Sequence, residues 1–181
     1  ARQSEARRAL FLLAQSRRPE ARATVIEMAR TGPDPVRVAA VRELGRLGGP
    51  AVAGELLQVY DSANPRVKYQ VVRSLGQRNE APALLRIAQS ETDRALRDTA
   101  IAALGDAGGL EELTVLYQRH RRSPADQKRP IVLGLFNAQA DEALIRIAEA
   151  ERDPAVRRDI LERLRLLGTP RALAYLERHP R

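Results

Sequence analysis

The sequence predicts an all-α solenoid of about six helical hairpins, about twelve helices in all, and three observations predict it. The 181-residue chain resembles itself at a spacing near 30 residues. Apolar side chains inside each copy fall three or four positions apart, as Val36, Ala39, Ala40, Leu44 and Leu47 do, which marks a helical stripe. Strand signals are absent throughout. A lone helical hairpin cannot hide its stripe from water, whereas stacked copies bury it in one continuous core.

The copies align on an apolar–basic pair with a leucine eight residues after its first member. These are Val36-Arg37 with Leu44, Val67-Lys68 with Leu75, Leu96-Arg97 with Leu104, and Val156-Arg157 with Leu164. The four anchors are 31, 29 and 60 residues apart, so the last gap holds a weaker copy anchored at Gln127. The second helices agree independently: Leu84-Leu85-Arg86-Ile87-Ala88 is echoed by Leu144-Ile145-Arg146-Ile147-Ala148 and by Leu56-Leu57-Gln58-Val59-Tyr60. With an atypical first copy, the repeats cover approximately 4–31, 32–62, 63–91, 92–122, 123–151 and 152–181, a single repeat domain that a longer chain could contain.

Each element has its own boundary signals. Asp34-Pro35, Asn64-Pro65, Ser123-Pro124 and Asp153-Pro154 start first helices, the polar side chain capping free N–H groups and the proline lacking only an N–H that has no partner there. Gly45 to Gly49, Gly76, Gly105 to Gly109 and Gly168 are expected to end them with a positive-φ residue. Pro50, Pro82 and Pro170 open second helices. The fifth copy departs from the pattern, with Gln127 at the anchor, Pro130 inside the first helix and Phe136 where glycine recurs. A kink, a late start or altered stacking is expected there.

The recurring Asp-Pro-x-Val-Arg-x-x-Ala-x-x-x-Leu-Gly pattern resembles HEAT-like repeats, of the short type associated with phycobilisome lyases. The resemblance spans essentially the whole chain and implies a right-handed superhelix whose second helices line a concave face. It also implies that the basic column Arg37, Lys68, Arg97, Lys128 and Arg157 forms an internal ladder. Its partners would be acceptors at the helix starts, namely Asp34, Asn64, Asp93 and Asp153. The repeat class serves many unrelated roles, so it implies a scaffold and not a reaction.

Composition narrows the function. There is no cysteine, which excludes disulfides, thiolate metal sites and cysteine nucleophiles. His120 and His179, the two histidines, lie 59 residues apart and give no metal-ligand spacing. The pairs Glu111-Glu112, Asp141-Glu142 and Glu149/Glu151 fall at helix starts or polar faces, where solvated charge is expected. No catalytic, cofactor-binding or metal-ligating residue is therefore assigned. Net charge is +8, almost all from arginine, and is concentrated in residues 1–90, with 15 basic and 8 acidic residues against 16 and 15 in the remainder. No apolar run is long enough to span a membrane. Cytoplasmic residence and export after removal of a signal peptide are both compatible with the chain.

Two sets of binding residues follow. One column of the second helices reads Glu27, Gln58, Arg86, Val115, Arg146 and Tyr175, alternating in chemistry as a protein-binding surface would, and Tyr60 and Tyr117 share a neighbouring column. The other set is basic. Arg7, Arg8, Arg17 and Arg18, with Arg22, cluster near the N-terminus, and Arg119, Arg121 and Arg122 flank His120. The first set leads to a noncatalytic scaffold that binds another protein or subunits of a larger assembly. The second leads to binding of nucleic acid or another polyanion. HEAT-like DNA glycosylases and bilin lyase subunits offer an enzymatic alternative, against which stand the absence of tryptophan and the presence of only Phe11 and Phe136 beside four tyrosines.

Overall fold

The computed structural model describes residues 2–16 and 18–179. Among them are twelve helices and no strand: α1 Arg2–Gln15, α2 Pro19–Thr31, α3 Asp34–Arg46, α4 Val52–Asp61, α5 Pro65–Gln77, α6 Ala81–Ser90, α7 Arg94–Asp106, α8 Leu110–His120, α9 Ala125–Asn137, α10 Asp141–Ala150, α11 Pro154–Leu167 and α12 Pro170–Arg178. The molecule is an all-α array of helical hairpins. Two compact units, Ala1–Ala83 and Leu84–Arg181, divide it inside α6. In the first, α3 packs on α1, α2 and α5; in the second, α9 packs on α7, α8 and α11.

The predicted stripes form the cores. Val67, Val71, Val72 and Leu75 of α5 are fully buried, and Leu96, Ala100 and Leu104 of α7, with Val156, Ile160 and Leu164 of α11, repeat the arrangement. Burial of each leucine or valine removes apolar surface worth roughly 1.5–3 kcal/mol from water. Asn64, Asp93 and Asp153 cap α5, α7 and α11, accepting from Val67 N–H, Leu96 N–H and Val156 N–H respectively. Asp34 differs from the expectation. It is the first residue of α3, whose cap Pro33 has no side-chain acceptor, so the carboxylate acts only as a charge in the first turn.

The glycines serve two purposes. Gly45, Gly76 and Gly105 do not end their helices; they lie inside α3, α5 and α7. A Cβ on Gly45 would fall 2.7 Å from Ser74 Cβ, and one on Gly105 would fall 2.6 Å from the Gly134 carbonyl oxygen. In both pairs, the position nine residues after an anchor meets the position seven after the next one. Small residues there let neighbouring first helices approach closely. At the irregular copy the same meeting brings Phe136 under Arg163, whose guanidinium carbon is 5.7 Å from the ring centroid. A cation–π contact thus occupies the interface that small residues form elsewhere.

Left-handed backbone occurs twelve residues after the anchors, at Gly108 (φ 69°) and Gly168 (φ 61°) within the expected glycine runs and at Asn79 (φ 55°) and Gln139 (φ 55°) outside them, and Gly49 (φ 108°) also takes a positive φ. Three of these joints share one hydrogen-bond pattern. Glu80 N–H donates to Leu75 C=O at 3.0 Å, Gly109 N–H to Leu104 at 2.8 Å and Ala140 N–H to Leu135 at 3.0 Å. Each satisfies a carbonyl that the helix end leaves free, and the next helix begins immediately.

The irregular fifth copy starts on time. Helix α9 begins at Ala125 beside Ser123-Pro124 and is assigned without interruption through Pro130 to Asn137, although the proline removes one backbone donor. Its neighbours hold it: Ile131, Val132 and Leu135 are fully buried.

Candidate functional site

In the basic column Lys128 is buried and Arg37, Lys68, Arg97 and Arg157 are half-buried, and the partners found differ from those the resemblance implies. Asn64, Asp93 and Asp153 are occupied as caps, and Arg37, Lys68 and Lys128 turn toward the end of the preceding second helix. Arg37 Nε donates to Ala29 C=O at 3.1 Å in α2, Lys68 lies 4.7 Å over the Tyr60 ring of α4, and Lys128 Nζ meets Glu151 Oε1 at 2.8 Å beyond α10. Positive charge at a helix C-terminus interacts favourably with the macrodipole. Nη2 of Arg37 and Nε of Arg157 are buried without a hydrogen-bond partner.

Lys128 belongs to the most deeply buried polar cluster of the second unit. It and Glu151 each leave 4% of the side chain exposed. Glu151 also accepts from Tyr117 Oη through its other oxygen, and from Asp153 N–H at 2.8 Å. Burial pushes the Glu151 carboxyl upward, but the hydrogen bonds from Lys128, Tyr117 and the Asp153 amide, with the Lys128 charge, leave it below the ordinary glutamate range. The Tyr117 hydroxyl moves upward, first by burial, then through its hydrogen bond to Glu151 and the negative charge of Glu151 and Asp153. The sequence reading placed Glu151 on a solvated polar face; the tertiary structure buries it because Lys128 of α9 reaches across.

Above this cluster, α8 and α10 are parted by a groove of about 480 Å³. Thr114, Tyr117 and Gln118 line one wall, Ala143, Ile147 and Ala150 form an apolar floor, and Arg121, Arg122, Arg146 and Arg152 surround the opening. All four arginines are exposed. No ion pair is recorded for Arg121, Arg122 or Arg152 among the described residues, and Arg146 has only a 3.8 Å contact with the exposed Glu142. Glu151 also lines the groove, but its charge is balanced by Lys128. The groove is therefore strongly positive.

The structure brings together residues from both predicted sets: Tyr117 and Arg146 from one, Arg121 and Arg122 from the other. Arg119 is exposed on α8 outside this lining. Glu27, Gln58, Arg86, Val115 and Arg146 all lie on exposed second-helix positions. Tyr175 does not share their column. Ala172 and Tyr175 are buried in α12 as Leu144 and Ile147 are in α10, so the helix is one residue out of the assumed alignment and Ala174 takes the outward place. Tyr60 and Tyr117 are also core side chains, exposed by 5% and 4%.

At the N-terminal end Arg7, Arg8 and Arg18 are exposed, and Arg17 lies outside the described residues. Arg18 and Arg22 line a second cavity of about 430 Å³ beside Leu47 and Gly48. Arg22 is already engaged there, with Glu55 at 2.8 Å and the Gly48 carbonyl at 3.1 Å. Residues missed by sequence reasoning are Thr114, Gln118, Glu151 and Arg152. Only the last carries a sequence signal, as a cation just past a helix end.

The family model for HEAT repeats matches residues 53–135. Together with the twelve-helix architecture, this match supports a HEAT-like repeat protein. No curated protein matches it. HEAT repeats commonly act as protein-interaction scaffolds and are typically noncatalytic. Among the described residues no group of histidine and carboxylate side chains could hold a metal ion, and no helix is long and apolar enough to cross a membrane.

Proposed function

We propose that this HEAT-like protein is a noncatalytic scaffold that binds another protein, or subunits of a larger assembly, through its second-helix surface. The observation that carries this reading is the groove between α8 and α10, where an apolar floor is ringed by arginines beside the Tyr117 hydroxyl. Its volume suits a few side chains of a partner. Arginine is a frequent interface anchor because its planar fork holds a carboxylate or carbonyl in fixed geometry.

Mixed chemistry beyond the groove favours protein over nucleic acid. Glu111 and Glu112 begin α8, and Glu142 and Glu149 flank Arg146 on α10, so a phosphate backbone leaving the groove would meet repulsion. Affinity capture from native lysate, with and without nuclease, followed by mass spectrometry tests this reading. A protein set that persists after nuclease is expected; a set that vanishes with nuclease would replace the scaffold with a polyanion binder.

A further inference from the structure

The groove between α8 and α10 also points to the kind of segment that fills it. We propose that it receives an acidic, partly apolar peptide segment of the partner protein, an inference that rests on the scaffold reading. Three observations converge on this occupant.

First, the charge is available. Arg121, Arg122 and Arg152 have no recorded ion pair among the described residues, while most other arginines near acidic groups are engaged, as Arg22 is with Glu55, Arg94 with Asp126 and Arg171 with Asp141. The sole carboxylate lining the groove, Glu151, is buried and paired to Lys128, so it cannot neutralise them. Exposed arginines without a counter-charge around one groove favour an incoming carboxylate, which their planar forks can hold by paired hydrogen bonds.

Second, the floor is apolar. Ala143 and Ile147 are buried at its base and Ala150 is exposed at its edge, between the arginines. A phosphate or a bare polyanion would cover this surface without gaining from its removal from water. A leucine or phenylalanine set between glutamates gains from both.

Third, the opening is structural. Second helices pack on one another at α2 and α4 and at α10 and α12. Beneath the space between α8 and α10, Tyr117 of one wall and Lys128 of α9 both hydrogen-bond Glu151 at the end of the other wall, which ties the two walls at a fixed place. The groove is thus preformed, and little ordering cost falls on binding.

The test titrates the full chain with a fluorescein-labelled peptide in which glutamates flank a central Leu-Phe pair. Companion titrations use the same peptide with every glutamate replaced by glutamine, a labelled oligothymidylate and inorganic phosphate. The acidic peptide is expected to bind at least about tenfold more tightly than its glutamine counterpart, the equivalent of one charge-assisted pair. The double variant Arg121→Glu/Arg122→Glu, and separately Ala150→Trp, which fills the groove without changing charge, should each weaken binding about tenfold or more. Arg165→Glu, on the exposed face of α11, makes half that charge change at a distance from the groove and should leave affinity within about twofold.

Equal loss with Arg165→Glu, or binding untouched by Ala150→Trp, would reduce the effect to net charge and overturn the inference. Tighter binding of the oligothymidylate than of the peptide, or competition by phosphate alone, would also overturn it. Nuclease-resistant capture of a lysate protein that the groove variants retain would overturn the groove while leaving the scaffold reading intact. Loss of all nuclease-resistant capture by the wild-type chain would remove the scaffold reading itself.

Discussion

Gln139 occupies the left-handed backbone region without the freedom of glycine, at the same joint where Gly108 and Gly168 stand in other copies. A non-glycine side chain there costs on the order of 1–2 kcal/mol, part of which glycine returns through its flexible unfolded state. Gln139→Gly is therefore expected to stabilise the protein by about 0.5 kcal/mol. Asn79→Gly should gain less, because asparagine tolerates this region; urea denaturation of both variants measures the difference. Lys128 poses the opposite problem. With both partners almost wholly buried, Lys128→Met leaves Glu151 without its cation and is expected to cost about 3–5 kcal/mol. The cluster also sets a pH window. Glu151 is shifted down, so its stabilisation is present above the ordinary glutamate range and is lost as pH falls through its lowered value. Tyr117 is shifted up, so its contribution is present below the ordinary tyrosine range and is lost as pH rises beyond it. Stability measured against pH should decline at both ends, and Lys128→Met should flatten the acid limb.

Helix α7 meets α9 through Gly105 and Gly134, and this contact explains why glycine recurs where no turn needs it. Gly105→Ala would place a methyl 2.6 Å from a carbonyl oxygen of the rigid facing helix, so a loss of about 1–3 kcal/mol is expected. Gly54 is the control. It lies in α4 with nothing within 4 Å of an added Cβ, so Gly54→Ala should stabilise by up to about 1 kcal/mol through helix propensity alone. Equal effects from the two substitutions, in thermal or urea melts, would refute the close-packing role. The recurrence of glycine was legible in the sequence, but its reason was not, because packing against the next repeat leaves no local signature. Helix α12 teaches the same lesson in reverse. Its short segment fits two alignments of the second-helix pattern, and only burial of Ala172 and Tyr175 decides between them.

A repeat array gains stability from contacts between neighbours, so a local injury should remain local. Amide hydrogen exchange in Lys128→Met is expected to accelerate across α8 to α11 while α1 to α4 keep their wild-type rates; uniform acceleration would show a single all-or-none unit. The same locality bears on function. Net positive charge is concentrated in residues 1–90, yet the arginines that surround a groove lacking a neutralising partner belong to the second unit. Arg22 shows how a cation counted in the total can already be engaged, here by Glu55 and Gly48. Total charge therefore gave little guidance to the site, whereas the arrangement of acids around each arginine did.

By itself the sequence determined the helices, their pairing into hairpins and most of their boundaries, because the apolar period and capping residues act within a few positions of the chain. Asn64 and Asp153 cap as read, and the buried positions of α5, α7 and α11 follow the predicted stripe. Only tertiary structure decided where the column of cations turns, which glycines serve close contact and which residues share a groove. Lys128 and Glu151 stand 23 positions apart, and Arg121 and Arg146 meet around one cavity only because α9 sets the separation of α8 and α10. Those relations depend on the distance between helices, a quantity that local periodicity does not carry.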